Sequence, residues 1–417
     1  MHFINFGGLM AVLVATQFLF VHSCGPVPMV KRQGPAPTKY TTPQTKVAIR
    51  NVRVFDGRRL NRPATVVIEN GLIGHSKHER DADQVIDAYG GVLLPGLIDS
   101  HVHTGSVANA ETMRNYGISS AMDMGCTLAP SDCDALNVGV GYPQIKFSYD
   151  GAVSPFGASA KLGLFKPNSF VTNASTAAAY IARQVTNNAS YIKIITESPG
   201  LDQATFNAFV ADAHGNNKKV MSHAPRHDPV SESLTAQVDF IHHSPTDKPV
   251  NESQVQQYLK QKVIAVPTLI QMLTIAGTGF GNSTYPPARD SVTSLYRAGV
   301  PILAGSDATG LHIPPNLLVP MGISLHQELE LLVEAGLTTV DALRAVTSLP
   351  ALHFGLPDRG VIAPGYRADL VLIRGNPILN ISTTQEIERI WIGGVEFNPF
   401  NRTISTVPCD GGDNEED

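Results

Sequence analysis

Leu94-Pro95-Gly96-Leu97-Ile98-Asp99-Ser100-His101-Val102-His103 is the stretch on which the fold of this chain turns. Residues 97–102 make a short apolar run that reads as a buried strand, with His101 and His103 at its far end. Side chains alternate along a strand, so two histidines one residue apart can face the same way. On the N-terminal side, 46–55 and 65–69 are rich in β-formers, and Asn70-Gly71 is a turn signal between strands. Residues 84–87 and 92–94 continue that pattern, and similar segments return far downstream at 369–373 and 387–392. The two ends are therefore expected to pair into one small β-structure, with the middle of the chain inserted between them.

The middle alternates strand and helix. Apolar strand runs recur at 119–124, 145–149, 191–195, 220–222, 240–242, 263–266 and 301–304, and with 97–102 they make eight. Helical patterns lie between most of them, at 108–116, 176–185, 203–214, 230–236, 252–259 and 288–298. Eight such units point to an α/β chain folded as a (β/α)8 TIM barrel, carrying a small β-sandwich domain built from both chain ends. On this reading 97–355 is the barrel, and 46–96 with 356–405 the composite sandwich. A doubly wound open sheet is the alternative, but no Gly-rich phosphate fingerprint follows the first strand.

The chain has 417 residues, of which 43% are hydrophobic and only 16% charged. A typical charged share is ~25%, so a large core is expected beneath a modestly charged surface. The formal net charge of −5 leaves no basic excess to neutralise phosphates, which argues against a nucleic-acid partner. Residues 1–23 resemble a signal peptide: 6–21 are nearly all apolar or small, and Ser23, Cys24 and Gly25 follow. A signal anchor is the rival reading, because only His2 stands before the apolar run. No stable membrane insertion is expected after signal removal. Residues 24–45 read as a Pro-rich linker or propeptide containing Lys31-Arg32, and the acidic end, 406–417, as disordered. Secretion is the expectation. It is supported by sequons at Asn173, Asn188, Asn251, Asn282, Asn380 and Asn401, and by Cys126 and Cys133, which are spaced to close a small disulfide ring.

Candidate chemistry follows from position. His101 and His103 follow the first strand, Lys193 lies in the fourth, His223 ends the fifth, His243 ends the sixth, and Asp307 follows the eighth. In a barrel the C-terminal ends of all strands gather at one mouth, so these distant residues would meet. Neutral imidazole and carboxylate suit a zinc-like cation. Lys193 sits in Tyr191-Ile192-Lys193-Ile194-Ile195, where a bare ammonium is costly to bury. A neutral amine there could take up carbon dioxide as a carbamate and bridge two metals. Each residue alone has a plainer reading: a structural histidine, a snorkelling lysine, an Asp307 that caps a helix. Only the joint placement favours a site.

Three motifs carry a family resemblance: 94–103, Gly305-Ser306-Asp307, and Ile362-Ala363-Pro364-Gly365-Tyr366-Arg367-Ala368-Asp369-Leu370. In this order they resemble the amidohydrolase superfamily over roughly residues 46–400, with the imidazolonepropionase-like and prolidase-like branch and fungal ochratoxinase-type amidases as nearest kin. The resemblance implies two divalent metal ions, usually zinc. His101, His103 and Asp307 would hold one and His223 and His243 the other, with carboxylated Lys193 between them. Relatives often carry Glu-His where this chain has His242-His243. The ligand is therefore placed at His243, and strand alternation is expected to turn His242 away as a structural residue.

The implied activity is hydrolysis of a C–N amide or peptide bond by a metal-bound hydroxide, with Asp307 as the catalytic base and then acid. By resemblance the substrate is a small molecule bearing a carboxylate: an N-acyl amino acid, a dipeptide or an ochratoxin-like amide. Arg226, His227 and His312 are candidates to receive that carboxylate, against a plain reading as surface-loop residues. The alternatives are a cyclic amide, lactone or ester hydrolase using the same site, and a non-catalytic secreted binding protein on a decayed scaffold. A homo-oligomer is left open.

Overall fold

The apolar runs at the two ends of the chain do meet. In the computed structural model, which describes residues 36–163, 165–310 and 315–399, these ends form one eight-stranded sheet. Its first strands are β1 (Val47–Val54), β2 (Ala64–Glu69), β3 (Leu72–Gly74), β4 (Gln84–Asp87) and β5 (Val92–Pro95). The middle supplies β6 (Leu97–His103), β7 (Ile118–Asp123), β8 (Gln144–Phe147), β9 (Gly151–Ala152), β10 (Ile192–Ile195), β11 (Val220–His223), β12 (Phe240–His242), β13 (Ile264–Val266) and β14 (Ala308–Thr309). The chain closes with β15 (Leu370–Ile373), β16 (Ile387–Ile392) and β17 (Val395–Phe397). The end sheet runs β17-β16-β15-β5-β1-β2-β3, with β4 on β1. The seam is β5, which lies parallel to β1 and antiparallel to β15, Leu94 opposite Val371. Trp391, Leu93, Leu370 and Ile49 fill its apolar face, all fully buried.

The middle strands form two parallel sheets, β14-β6-β7-β8 and β13-β12-β11-β10-β9. Seven of the eight expected runs are strands. The eighth, 301–304, contributes a single parallel bridge, Ile302 to Ala265. Hydrogen bonds still join the two sheets through it: Ala265 N–H donates to Pro301 O, Leu303 N–H to Ala265 O, and Ser100 N–H to Ala304 O. On the other side β8 passes into β9 across three residues, Tyr149 at φ 56° turning the chain. The six expected helices occur at Val107–Asn115, Ala174–Thr186, Gln203–Gly215, His227–Ala236, Glu252–Gln261 and Tyr285–Ala298. Two others, Leu269–Thr278 and Ile323–Glu334, carry little readable helical period. The first is apolar on nearly every face, so the pattern that marks an amphipathic helix is missing.

Two glycines show why the motifs contain them. A Cβ on Gly96 would lie 2.4 Å from Ser119 Oγ and 2.8 Å from Asp369 Cβ, so the turn from β5 into β6 admits no side chain. A Cβ on Gly305 would lie 2.9 Å from His101 Cβ. That glycine lets the chain leading to Asp307 pass directly behind His101. The two motifs are also tied by Asp99. Its carboxylate accepts the backbone N–H groups of His101 (3.1 Å) and Ser306 (3.0 Å) and the Ser306 hydroxyl (2.6 Å). The third motif closes the set, Asp369 O accepting the Gly96 N–H at 2.7 Å. The signal, linker and acidic-tail assignments lie outside the described residues, apart from 36–45.

Candidate metal centre

His101, His103, Lys193, His223, His243 and Asp307 all line one cleft, with an open volume of about 960 Å³. Their elements explain the convergence. β10, β11 and β12 run parallel in register in one sheet and β6 belongs to the other, while the chain leading to Asp307 is tied to β6 by its N–H donating to His101 O at 2.8 Å. His243 and Asp307 lie in the left-handed region, at φ 71° and 56°, which turns each side chain out of the line of the chain before it. Asp307 Oδ1 stands 3.2 Å from His101 Nε2 and 3.3 Å from His103 Nε2, and its Oδ2 stands 3.8 Å from His243 Nδ1. The rings of His223 and His243 are 4.3 Å apart. Ligand atoms of His101, His243 and Asp307 all fall within 4.8 Å of one another.

The donor set fits a cation. His103 Nδ1 pairs with Gly125 O at 3.1 Å, and His243 Nδ1 with the Thr268 hydroxyl at 2.8 Å. The Gly125 carbonyl can only accept, so it places the His103 proton on Nδ1 and leaves Nε2 as a lone pair; the Thr268 hydroxyl can accept from His243 in the same way. His243 Nε2 is buried with no hydrogen-bond partner, and so is Lys193 Nζ. Burial drives His101, His223 and His243 well below the ordinary histidine value, with neighbouring cationic groups adding to the shift. They stay neutral, the ligating form. His103 is also pulled down by burial, but its hydrogen bond to Asp307 and the charges of Asp307 and Asp123 outweigh that and leave it raised. Burial, partly opposed by the Asp307 charge, brings Lys193 down to about 7, so an uncharged amine is accessible at neutral pH.

His243 lines the cleft and His242 does not, as strand alternation led one to expect. His242 packs against His101 instead, its ring 4.8 Å from that of His101, and His243 lies 4.9 Å from the same ring. The strand ends at His242, and the chain turns at His243 with a positive φ, so both rings meet His101. The carboxylate candidates need correction. The Arg226 guanidinium donates to Gly281 O, and His227 is engaged by Asp228, Asn251 and Asp247; neither lines the cleft. Both are held at the start of a helix by neighbouring loops. His312 lies outside the described residues. Among those described, the cationic side chains in the cleft wall are Lys193 and Lys166, and Lys166 is exposed with Nζ donating to Leu128 O at 3.2 Å. Cys126, whose disulfide to Cys133 closes a short ring, lies in the same wall next to Gly125.

Gln271 and Glu328 were missed by the sequence reading, since neither belongs to a motif. Gln271 lines the cleft from the first turn of Leu269–Thr278. Glu328 pins that turn by accepting the Ile270 N–H at 2.8 Å. Burial pushes the Glu328 carboxyl from its ordinary 4.5 up to about 8. The folded protein then keeps a proton that the unfolded chain gives up, so this group's contribution to stability declines as pH rises from 4.5 to about 8. Glu328→Gln keeps an acceptor and cannot ionise. It should be more stable than wild type at pH 8, by roughly a few kcal/mol, and lose that advantage at pH 4–5. Urea unfolding at the two pH values checks this; an equal difference at both would refute the burial argument.

A model of the Amidohydrolase family matches residues 92–411. An uncharacterized protein of Mycobacterium tuberculosis is 24% identical over 356 residues, spanning 76% of this chain and 88% of its own length. Among solved structures, a Xaa-Pro dipeptidase with bound methionine aligns with a TM-score of 0.74 at 21% identity, over 85% of this chain and 100% of that one. The ochratoxinase of A. niger aligns with a TM-score of 0.71 at 18% identity, over 85% and 96%. At these identities the two structures bear on the fold alone.

Proposed function

The chain belongs to the amidohydrolase family, whose members are hydrolases, and from that premise we propose that it is a secreted, metal-dependent enzyme cleaving the amide bond of a small carboxylate-bearing substrate. N-acyl amino acids, dipeptides and ochratoxin-like amides are the class in view, in keeping with the dipeptidase and ochratoxinase among its structural neighbours. The observation that carries the reading is the cleft itself, in which four histidines, a lysine and an aspartate from five separate chain segments face one space. The same reading makes 97–355 a (β/α)8 barrel, supported by the hydrogen bonds that lead from β13 through 301–304 to β6. It makes 46–96 with 356–405 the β-sandwich, supported by the pairing of β5 with both β1 and β15. Secretion is supported by the Cys126–Cys133 disulfide and by the exposure of Asn173, Asn188, Asn251, Asn282 and Asn380.

His101, His103 and Asp307 would hold one divalent ion, and His223 and His243 the second. The Lys193 amine could take up carbon dioxide, forming an N–C bond with loss of a proton, and the resulting carbamate would be an anionic ligand for a metal held there. Metal bound there would supply Lewis acidity at the scissile carbonyl and would lower the pKa of water towards ~7. Asp307 then acts as proton carrier: it accepts the proton of the attacking water and delivers it to the departing amine nitrogen. Lys166, at the cleft wall, is the cation suited to the substrate carboxylate, in place of Arg226.

The test is hydrolysis of N-acyl amino acids and dipeptides by the purified protein, with metal analysis. About two zinc ions per chain, turnover abolished by chelator and restored by zinc, and a KM raised about tenfold or more in Lys166→Ala but unchanged in Arg226→Ala are the expected results. Ring-opened products only would point to a cyclic amide, lactone or ester. Absence of both metal and turnover would leave a binding protein and end the proposal.

A further inference from the structure

We propose that His242 is a positioning residue that sets which nitrogen of His101 is free to hold metal. The inference rests on the metal-centre reading above, but it concerns a residue that reading does not use. His242 ends β12, is fully buried, and places its Nδ1 2.9 Å from Nδ1 of His101, the rings meeting edge-on at 76°. At that distance one nitrogen carries a proton and the other a lone pair.

The other tied histidines have oxygen partners. Gly125 O can only accept from His103, and the Thr268 hydroxyl can accept from His243. The partner of His101 is a second imidazole, which can equally well donate or accept. Two arrangements follow. If His242 donates, the His101 proton sits on Nε2, which faces Asp307 Oδ1 at 3.2 Å, and no lone pair is left for a cation. If His242 accepts, His101 carries its proton on Nδ1 and turns the Nε2 lone pair towards the cleft. The His242 proton then lies on Nε2, a buried atom with no partner. The pair holds two protons in both arrangements. Converting the first to the second passes one proton across the 2.9 Å gap to His101, frees the proton on His101 Nε2 and takes one up on His242 Nε2.

The metal-competent arrangement thus leaves an N–H unsatisfied in the protein interior, which opposes it in the absence of an ion. Metal affinity and the stability of the metal-free fold consequently pull in opposite directions at this residue. That opposition separates a positioning role from a packing role, in which both would fall together.

The experiment uses the whole protein and three forms: wild type, His242→Phe and His242→Asn. Phenylalanine keeps the ring and removes both nitrogens; asparagine can place a carbonyl oxygen where Nδ1 lies. Zinc affinity is measured by chelator competition, and thermal unfolding is measured on metal-free samples. The expected result is that His242→Phe binds zinc 10- to 100-fold more weakly, with a metal-free melting temperature at or above wild type. His242→Asn should recover most of the affinity, to within about fivefold. Wild-type affinity in His242→Phe would overturn the proposal. So would a loss of affinity in step with a lower metal-free melting temperature that asparagine does not recover. Wild type that binds no zinc would instead overturn the metal-centre reading, and this inference with it.

Discussion

Asp307→Asn should retain most of its metal and lose ~10²- to 10⁴-fold in turnover, with KM changed only a few-fold. The asparagine keeps an oxygen where Oδ1 stands, 3.2 Å from His101 Nε2 and 3.3 Å from His103 Nε2, so the ligand geometry survives. It cannot take up a proton, so the transfer from water to the departing amine has no carrier. Because that transfer belongs to the transition state, the loss falls on kcat. Metal content by mass spectrometry and initial rates on one N-acyl amino acid decide the matter. Turnover within tenfold of wild type would remove the proton role, and complete loss of metal would reduce Asp307 to a ligand.

Lys193→Met should have the second large effect, and in two directions. Nζ is buried without a hydrogen-bond partner among the protein atoms and the residue is only 2% exposed, so the amine is costly to keep there. Methionine of similar length should raise metal-free stability by roughly 1–3 kcal/mol. Activity should fall by ~10³-fold or more if Lys193 works as the proposed carbamate, which methionine cannot form. Reconstitution of the metal-free wild type with zinc in buffer stripped of carbon dioxide should give a poorly active enzyme that bicarbonate restores, while the variant should not respond. Full activity in Lys193→Met, or indifference of wild type to bicarbonate, would remove the carbamate.

The parts of this protein that were legible in its sequence are those where a local pattern has one physical meaning. Alternating apolar runs bounded by turns marked the strands, and the six cleft residues were picked out by their places in or just after those strands. That His242 stays out of the cleft was readable from alternation, but its contact with His101 was not, because a positive φ at His243 cannot be seen in two adjacent letters. Arg226 and His227 were misplaced for a related reason: a charge in a loop after a strand can turn towards the mouth or towards its neighbours, and here Gly281 and Asp247 hold them aside. Gln271 and Glu328 were invisible because their importance comes from contacts between elements, the Ile270 N–H above all.

The pairing of β5 with both β1 and β15 has a consequence for synthesis. A nascent chain that has emerged as far as residue 369 has β1 and β5 in hand, but the outer edge of β5 stays bare until Leu370–Ile373 arrives. Closing so long a loop is entropically slow, and an open apolar strand edge invites association with other chains. The opening quarter of the polypeptide therefore depends on a late-arriving segment, and truncations upstream of residue 370 should aggregate instead of yielding a smaller folded protein.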